Sequence, residues 1–483
     1  MIRVPRQKSY ALLWGRAKIG AFSYIEGFSP TGGPRQYTSY RAFPVNNTGG
    51  SDKLVLPMQE RILPARRLYG SIVLPGDKSI SHRYGMLASL ADGTSKIHNY
   101  SKGADCQSTL SAMRALGIEI ESNSDTVSIH GKGLDGLKAP DGPLDAGNSG
   151  STIRMLSGIL AAQPFVTTIG GDESLSRRPM QRIMKPLAEM GAHIQAREGK
   201  YPPLTIRGGP LTPIQYTLPV ASAQVKSCVL FAGLFAPGVT SVIEGVRTRD
   251  HSELALQEFG AEVEVRRGVI SITGRPHLEA RELTVPGDIS AAAFFLVAAQ
   301  LADEASITIR GVGLNPTRSS LLDFLIGMGA DLKILDIVQS GGEVSGDLQV
   351  RKSRIRGGVL EGDMAAALID EIPVLAVLGA ISEDGLKVRD AAELKVKETD
   401  RIATIAANFQ QMGLAIDVRP DGFDIPGRQK FHAAEVDSFG DHRIGMAFAV
   451  AALAADGETV IRNAEAASVS FPGFYDVLRS LSA

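Results

Sequence analysis

Nine short segments of this sequence concentrate cations, hydroxyls or carboxylates, and the first five place them where a helix-like stretch begins. Helix starts expose free backbone N–H groups and therefore favour anions. GDKSISHR supplies Lys78, Ser79 and Arg83, and DAGNSGSTIR supplies Asn148, Ser149, Gly150, Ser151 and Arg154. GDESLSRRPM adds Arg177 and Arg178, PVASAQVKS adds Ser222, Gln224 and Lys226, and RTRDHSE adds Arg247, Arg249 and His251. Further on, NPTR carries Arg318, LIDEIP carries Asp370 and Glu371, and KVKETDR carries Lys395, Lys397, Glu398 and Arg401. FGDHRIGM closes the series with Asp441, His442 and Arg443. Guanidinium groups grip carboxylate and phosphate in bidentate fashion. Asp370 and Glu371 interrupt an apolar run, Ala365 to Ile381, so each must be paired, neutral or functional. Singly, every segment has a structural explanation: helix caps, solvated faces, or an ion pair such as Asp441–Arg443. Together, across both halves of the chain, they point to a site for several anions with acid–base groups beside them.

Other chemistries are absent from the pattern. No G-x-x-x-x-G-K-[ST] occurs, so GDKS is not a nucleotide-hydrolysing P-loop, and no G-x-G-x-x-G follows a strand. The G-x-S-x-G elbow of a serine hydrolase is missing too. Two cysteines, Cys106 and Cys228, exclude a disulfide framework or a cysteine-built metal site, and both read as buried free thiols on helices. With 51 basic against 52 acidic side chains the net charge is −1, which argues against nucleic acid or an anionic membrane as partner. The longest apolar run, Ile289 to Ala302, contains Ser290 and Gln300 and reads as a core helix, not a membrane span. The expectation is a protein of a reduced compartment, the cytoplasm.

The elements that must position these residues repeat. A helical stretch ends in an apolar residue and Gly, then alternating strand-like residues follow, at Gly117, Gly191, Gly260, Gly329 and Gly413. Gly just past a helix takes the left-handed conformation that other residues resist. The successive spacings are 74, 69, 69 and 84 residues, so the 421 residues from Leu63 onward hold about six units. In Ala261-Glu262-Val263-Glu264-Val265 the alternation predicts one face in and one out. At a higher level, Leu74-Pro75-Gly76-Asp77 and Val285-Pro286-Gly287-Asp288 each precede a helix, 211 residues apart. Two similar halves of three units, with a cleft between them, follow from that spacing. The class is mixed α/β (α+β).

Residues 1–60 are different: eight Lys/Arg, three acids, and SPTGGP and NNTGGS in place of any periodicity. This superficially fits an organellar transit peptide. Our reading of residues 1–57 is a disordered tail, or an upstream start with natural translation from Met58.

The segments PGDKSISHR, GNSGSTIR, SRRPM, ASAQVKS, VKETDR, GDHRIGMAF and SFPGF, in this order, resemble the 5-enolpyruvylshikimate-3-phosphate synthase family from about residue 63 to the C-terminus. GDKS, SAQVK, RDHSE and NPTR are similar to its bacterial class II branch. The resemblance implies an enolpyruvyl transferase fold: two domains, each of three βαββαβ-type units, with the active site in the cleft between them. One domain would combine residues 58–76 with 286–483 and the other would span 77–285. The implied reaction moves the enolpyruvyl group of phosphoenolpyruvate to the 5-hydroxyl of shikimate 3-phosphate, releasing phosphate, in aromatic amino acid (chorismate) biosynthesis. No metal or organic cofactor is implied, and the family expectation is a monomer.

By motif, the resemblance assigns Lys78, Ser79, Arg83, Ser222, Ala223, Gln224, Arg249, Asp370 and Lys397 to shikimate 3-phosphate. Lys78, Asn148, Gly150, Arg178, Gln224, Arg401 and Arg443 fall to phosphoenolpyruvate. Asp370, Glu398 and Lys78 would be the catalytic groups, their proton transfers left open. One departure stands out: many class I members carry a Lys before a T-F-P segment, where this chain has Val469-Ser470-Phe471. Gly150 keeps the small residue that leaves room for glyphosate, which is expected to inhibit. The rival readings are the sister transferase acting on UDP-N-acetylglucosamine and a non-catalytic phosphosugar-binding protein. The first usually carries a reactive loop Cys, and neither Cys106 nor Cys228 has such a context. The second would be expected to lack Lys78, Asp370, Glu398 or Arg401.

Overall fold

The structure, a computed structural model, describes residues 58–123 and 125–482. The reading of residues 1–57 as a tail or upstream extension lies outside the described residues. Among the described residues the strands form six sheets, matching the six units counted from the glycine spacing. Five are four-stranded and share one pairing order: a parallel pair, then two antiparallel neighbours. The sixth, Gln59–Ile62 with Thr459–Arg462 and Glu435–Asp437, is the same pattern without its outer strand.

Within a unit the elements run strand, helix, strand, helix, strand, strand. Leu144–Asp145, Gly150–Leu160, Val166–Gly170, Gln181–Glu189, His193–Arg197 and Tyr201–Arg207 show it. The second helix therefore precedes the final hairpin, whereas the βαββαβ order places it after. All five repeat glycines lie past a helix at positive φ, between 74° and 104°. The alternation after Gly260 holds only in part. Ala261 is buried, but Val265 is 57 % exposed, because Val263–Arg266 is an edge strand paired on one side only.

Two hydrophobic cores result. One draws on residues Ile80 to Val285, the other on Ile62 to Leu74 together with Ile289 to Leu481. In the first, helix Gly150–Leu160 packs against Lys78–Leu90 and Ala223–Gly233. In the second, Ile289–Leu301, Ile372–Ile381 and His442–Ala452 pack on one another. All thirteen residues of Ile289–Leu301 are buried, as expected of a core helix. Cys106 and Cys228 are buried free thiols on helices Ala104–Ala115 and Ala223–Gly233. Among the described residues no helix is long and apolar enough to cross a membrane.

The two Pro-Gly-Asp junctions, matched in sequence, are bonded to each other. Asp77 N donates to Pro286 O at 2.8 Å and Asp288 N to Pro75 O at 3.0 Å, while Lys78 N donates to the Asp288 carboxylate at 3.2 Å. Each aspartate also caps its own helix, Asp77 accepting from Ile80 N at 2.9 Å and Asp288 from Ser290 N at 2.8 Å. Both chain crossings between the cores thus run side by side, and the helices they launch begin at the junction.

Candidate functional site

Side-chain caps set where the functional helices start. Ser149 accepts from Thr152 N at 3.0 Å, Ser222 from Val225 N at 3.4 Å, Asp400 from Ala403 N at 3.1 Å and Asp441 from Arg443 N at 2.9 Å. A cap of this kind contributes about 1 kcal/mol. The consequence is positional: Lys78, Gly150, Ala223 and Arg401 are each the first residue of a helix, and Arg443 is the second.

Asp370 stands in the turn between helices Gly362–Ala367 and Ile372–Ile381, ringed by cations from both cores. Arg249 Nη2 donates to its Oδ2 at 2.6 Å; Lys397 Nζ and Arg401 Nη1 lie 3.5 and 3.6 Å from Oδ1, and Arg443 Nη2 lies 4.0 Å from Oδ2. Burial alone would raise this carboxyl, but Lys397, Arg443, Arg249 and Arg401 hold it well below the usual carboxylate range. Glu398 behaves alike. Burial opposes its charge and Arg401, His442, Arg178 and Lys78 overcome that opposition. Its Oε2 accepts from Arg401 Nη2 at 2.6 Å and its Oε1 lies 3.6 Å from Arg178 Nη1. Both groups are anionic at neutral pH. With folded pKa values depressed, they stabilise the fold above ordinary carboxylate values, and that contribution is lost as pH falls through the depressed ones.

Lys78 shows the same contest with the sign reversed. Burial pulls its ammonium down, but the Asp105 and Glu398 carboxylates outweigh it and keep the pKa above the ordinary lysine value. Its Nζ is paired directly with Asp105. The sequence reading missed Asp105. Nothing in ADCQSTL distinguishes it from a routine acid in the first turn of a helix, and only its proximity to Lys78 reveals it.

Arg178 Nη2 donates to Asn148 Oδ1 at 2.7 Å, and Asn148 Nδ2 donates to Asp172 at 2.7 Å, so both side chains are held beside Gly150. A Cβ on Gly150 would come within 2.8 Å of Arg154 Nη1 and 3.5 Å of Arg178 Nη1. Arg154 in turn donates to Gln224 Oε1 at 2.6 Å. Arg83 is buried behind Ser79, its three nitrogens donating to Ser252 Oγ (2.6 Å), Ser79 O (2.7 Å) and Ser227 Oγ (2.8 Å). Burial draws its guanidinium down to about 10. Ser79, Ser222 and Ala223 are half-buried at the starts of their helices.

Some candidates fall elsewhere. Arg177 and Arg247 point outward to Glu173 and to Asp250, and Lys395 is exposed. Lys226, 1 % exposed, is a structural ion-pair partner of Glu253 (2.6 Å) and Glu244 (3.1 Å). Arg318 is likewise buried, on Ser290 Oγ and Glu371. The expected Asp441–Arg443 ion pair is replaced. Asp441 takes only the backbone N–H of Arg443, and its carboxylate binds Arg401 at 2.8 and 3.2 Å. Two residues apart at a helix start, the cap and its neighbour's side chain diverge. At the class I lysine position, Val469 O and Ser470 Cα pack on Gly103, 2.6 and 3.0 Å from where its Cβ would stand.

Lys78, Arg178, Arg249, Lys397, Arg401 and Arg443 thus converge on the carboxylates of Asp105, Asp370, Glu398 and Asp441. The excess of cations suits small polyanions. A family model described as EPSP synthase (3-phosphoshikimate 1-carboxyvinyltransferase) matches residues 62–478. The chain belongs to the EPSP synthase family. The 3-phosphoshikimate 1-carboxyvinyltransferase of Solibacter usitatus (strain Ellin6076) is 65 % identical over 425 residues, 88 % of this chain and 100 % of that protein. The enzyme of the same name from Koribacter versatilis (strain Ellin345) is 52 % identical over 422 residues, 87 % of this chain and 98 % of its own. Among solved structures, EPSP synthase from Acinetobacter baumannii is similar with a TM-score of 0.79 and 42 % identity, covering 88 % of this chain and 98 % of that one. The six-sheet architecture is accordingly the two-domain fold of EPSP synthases. Family membership favours neither rival reading.

Proposed function

We propose that the cleft transfers the enolpyruvyl group of phosphoenolpyruvate to the 5-hydroxyl of shikimate 3-phosphate, releasing inorganic phosphate. The observation that carries this reading is the ring of cations from both cores around two ionised carboxylates and a protonated lysine. Ser79, Arg83, Ser222, Ala223, Gln224, Arg249 and Lys397 hold the shikimate phosphate and ring. Arg178, Arg401 and Arg443, with Asn148, Gly150 and Gln224, hold phosphoenolpyruvate, and Lys78 lies between the two.

The charge states order the proton transfers. Asp370, anionic, orients the 5-hydroxyl and receives its proton as the oxygen bonds to C2 of phosphoenolpyruvate. Lys78, the one protonated member of the three, supplies the proton that converts the methylene to a methyl group. The product of this addition is a tetrahedral ketal phosphate. Glu398 then removes a methyl proton, the C2=C3 double bond re-forms and the C2–O bond to phosphate breaks. The hydroxyl proton departs with phosphate and Lys78 is reprotonated from Glu398.

A phosphate-release assay with both substrates tests this. Turnover is expected with shikimate 3-phosphate and none with UDP-N-acetylglucosamine; no turnover with the former removes the reading. Asp105→Asn removes the carboxylate that does most to hold Lys78 up against burial, so the basic limb of the kcat/KM profile should move to lower pH. An unmoved limb would detach Lys78 from the proton transfers. Gly150→Ala should raise the concentration of glyphosate needed for half-inhibition by about tenfold or more, since its methyl would stand 2.8 Å from Arg154 Nη1 and 3.5 Å from Arg178 Nη1, beside a cation assigned to phosphoenolpyruvate. Unchanged inhibition would place the inhibitor away from Gly150.

A further inference from the structure

Five consecutive residues, Arg249 to Glu253, each bond a different part of the molecule. Arg249 takes Asp370 at 2.6 Å, and Asp250 Oδ1 accepts from Asn315 Nδ2 at 2.8 Å and Thr317 Oγ1 at 3.2 Å. His251 Nδ1 lies 2.7 Å from Glu343 Oε1, Ser252 Oγ accepts from Arg83 Nε at 2.6 Å, and Glu253 pairs with Lys226 at 2.6 Å. Glu343 begins strand Glu343–Arg351, just past the Gly341-Gly342 tip of a hairpin from the other core. That tip reaches across. Tyr84 Oη donates to Gly341 O at 3.3 Å, and Glu343 Oε2 accepts from Asn315 Nδ2 at 3.0 Å. His251, Glu343 and Asn315 are all nearly fully buried, at 2 %, 4 % and 3 % exposure.

A buried histidine–carboxylate contact is weak evidence for stability as such. What singles this one out is its neighbours. The helix His251–Glu258 that it grips carries Ser252, which holds Arg83, and follows directly on Arg249. Two of the cations assigned to shikimate 3-phosphate, Arg83 and Arg249, therefore take their place from this one helix end. The cations assigned to phosphoenolpyruvate bond elsewhere: Arg178 to Asn148 and Ser174, Arg401 to Asp441 and Glu398, and Arg443 to the Asp370 carbonyl.

We propose that Glu343, braced by Asn315, is a positioning residue for shikimate 3-phosphate: by holding His251 it fixes the helix end that presents Arg249 and Arg83. The inference rests on the substrate assignment above. It also gives two segments a shared purpose, since RDHSE and NPTR form the two sides of the same contact.

The test compares Glu343→Ala and Glu343→Gln in steady-state kinetics, with thermal unfolding as the check on folding. Glu343→Ala should raise KM for shikimate 3-phosphate about tenfold, the scale of a lost charge-assisted hydrogen bond, with KM for phosphoenolpyruvate and kcat within about twofold. Glu343→Gln, which keeps an acceptor facing His251, should recover most of that loss. If Glu343→Ala does not fold, Asn315→Ala carries the comparison, because it removes the donor to both Glu343 and Asp250 and leaves the histidine pair intact. Equal rises in both KM values, or no rise in a folded variant, overturn the proposal. Arg249→Ala separates the two levels: if KM for shikimate 3-phosphate is untouched there as well, the substrate assignment fails, not only the positioning.

Discussion

Asp370→Ala should lower kcat by about 10²–10⁴-fold, the usual contribution of a positioned acid–base group, while shikimate 3-phosphate binds nearly as well as before. The reasoning begins with its neighbours. Arg249, Lys397, Arg401 and Arg443 all face this carboxylate, so removing it leaves four cations for an incoming anion and takes none away. Ground-state binding of a phosphate has no cause to suffer. The attacking hydroxyl, however, loses the group that orients it and takes its proton. Arg249→Ala is the converse: it should raise KM for shikimate 3-phosphate at least about tenfold with a small change in kcat. Steady-state kinetics on both variants checks the contrast. Equal changes of both parameters in both variants would contradict the division of roles.

Arg401→Ala should cost about 3–5 kcal/mol of stability as well as activity. Arg401 is 1 % exposed and makes two hydrogen bonds to Asp441, which is completely buried. Three carboxylates (Asp441, Glu398 and Asp370) raise its pKa against the pull of burial, so the guanidinium is a fixed charge inside the protein. Deleting it strands Asp441 without a counter-ion. A urea midpoint should fall accordingly, and the double variant Arg401→Ala/Asp441→Asn should regain much of the loss, since Asn still caps the helix. Activity should stay low in the double variant, because the anion-binding guanidinium remains absent. An unchanged midpoint in the single variant would contradict the buried pairing; restored activity in the double variant would contradict the binding role. Arg401→Lys should be a poor substitute, an ammonium being unable to bind two carboxylates in the same plane.

Much of this was legible in the residues alone, for identifiable reasons. The five glycines past helices marked the unit length because the backbone there requires positive φ, a demand independent of tertiary context. The twin Pro-Gly-Asp junctions announced two halves, and their mutual hydrogen bonds show why both copies are needed. Local patterns failed where the answer depends on a distant partner. Val265 alternates correctly yet stays exposed, because sheet order makes its strand an edge. Lys226 and Arg177 looked as promising as Arg178, but they pair with Glu253 and Glu173, whereas Arg178 faces Glu398. Asp105 and Glu343 were silent, each ordinary in its own segment and informative only beside Lys78 or His251. The order of helix and hairpin within a unit was likewise a matter of pairing, which glycine spacing does not encode.

The sheet built from Gln59–Ile62 and Thr459–Arg462 carries a consequence for biosynthesis. Its two strands pair with partners about 400 residues apart, Gln59 with Arg462 and Ile62 with Thr459. A ribosome adds roughly 5–20 residues per second, so the earlier strand waits ~20–80 s for its partner. Meanwhile the core of Ile80 to Val285 has all of its residues and can close. The half assembled from both sides of that insertion is therefore the last to form, and Gln59–Ile62 passes that interval with an unpaired edge, the condition that chaperones guard against.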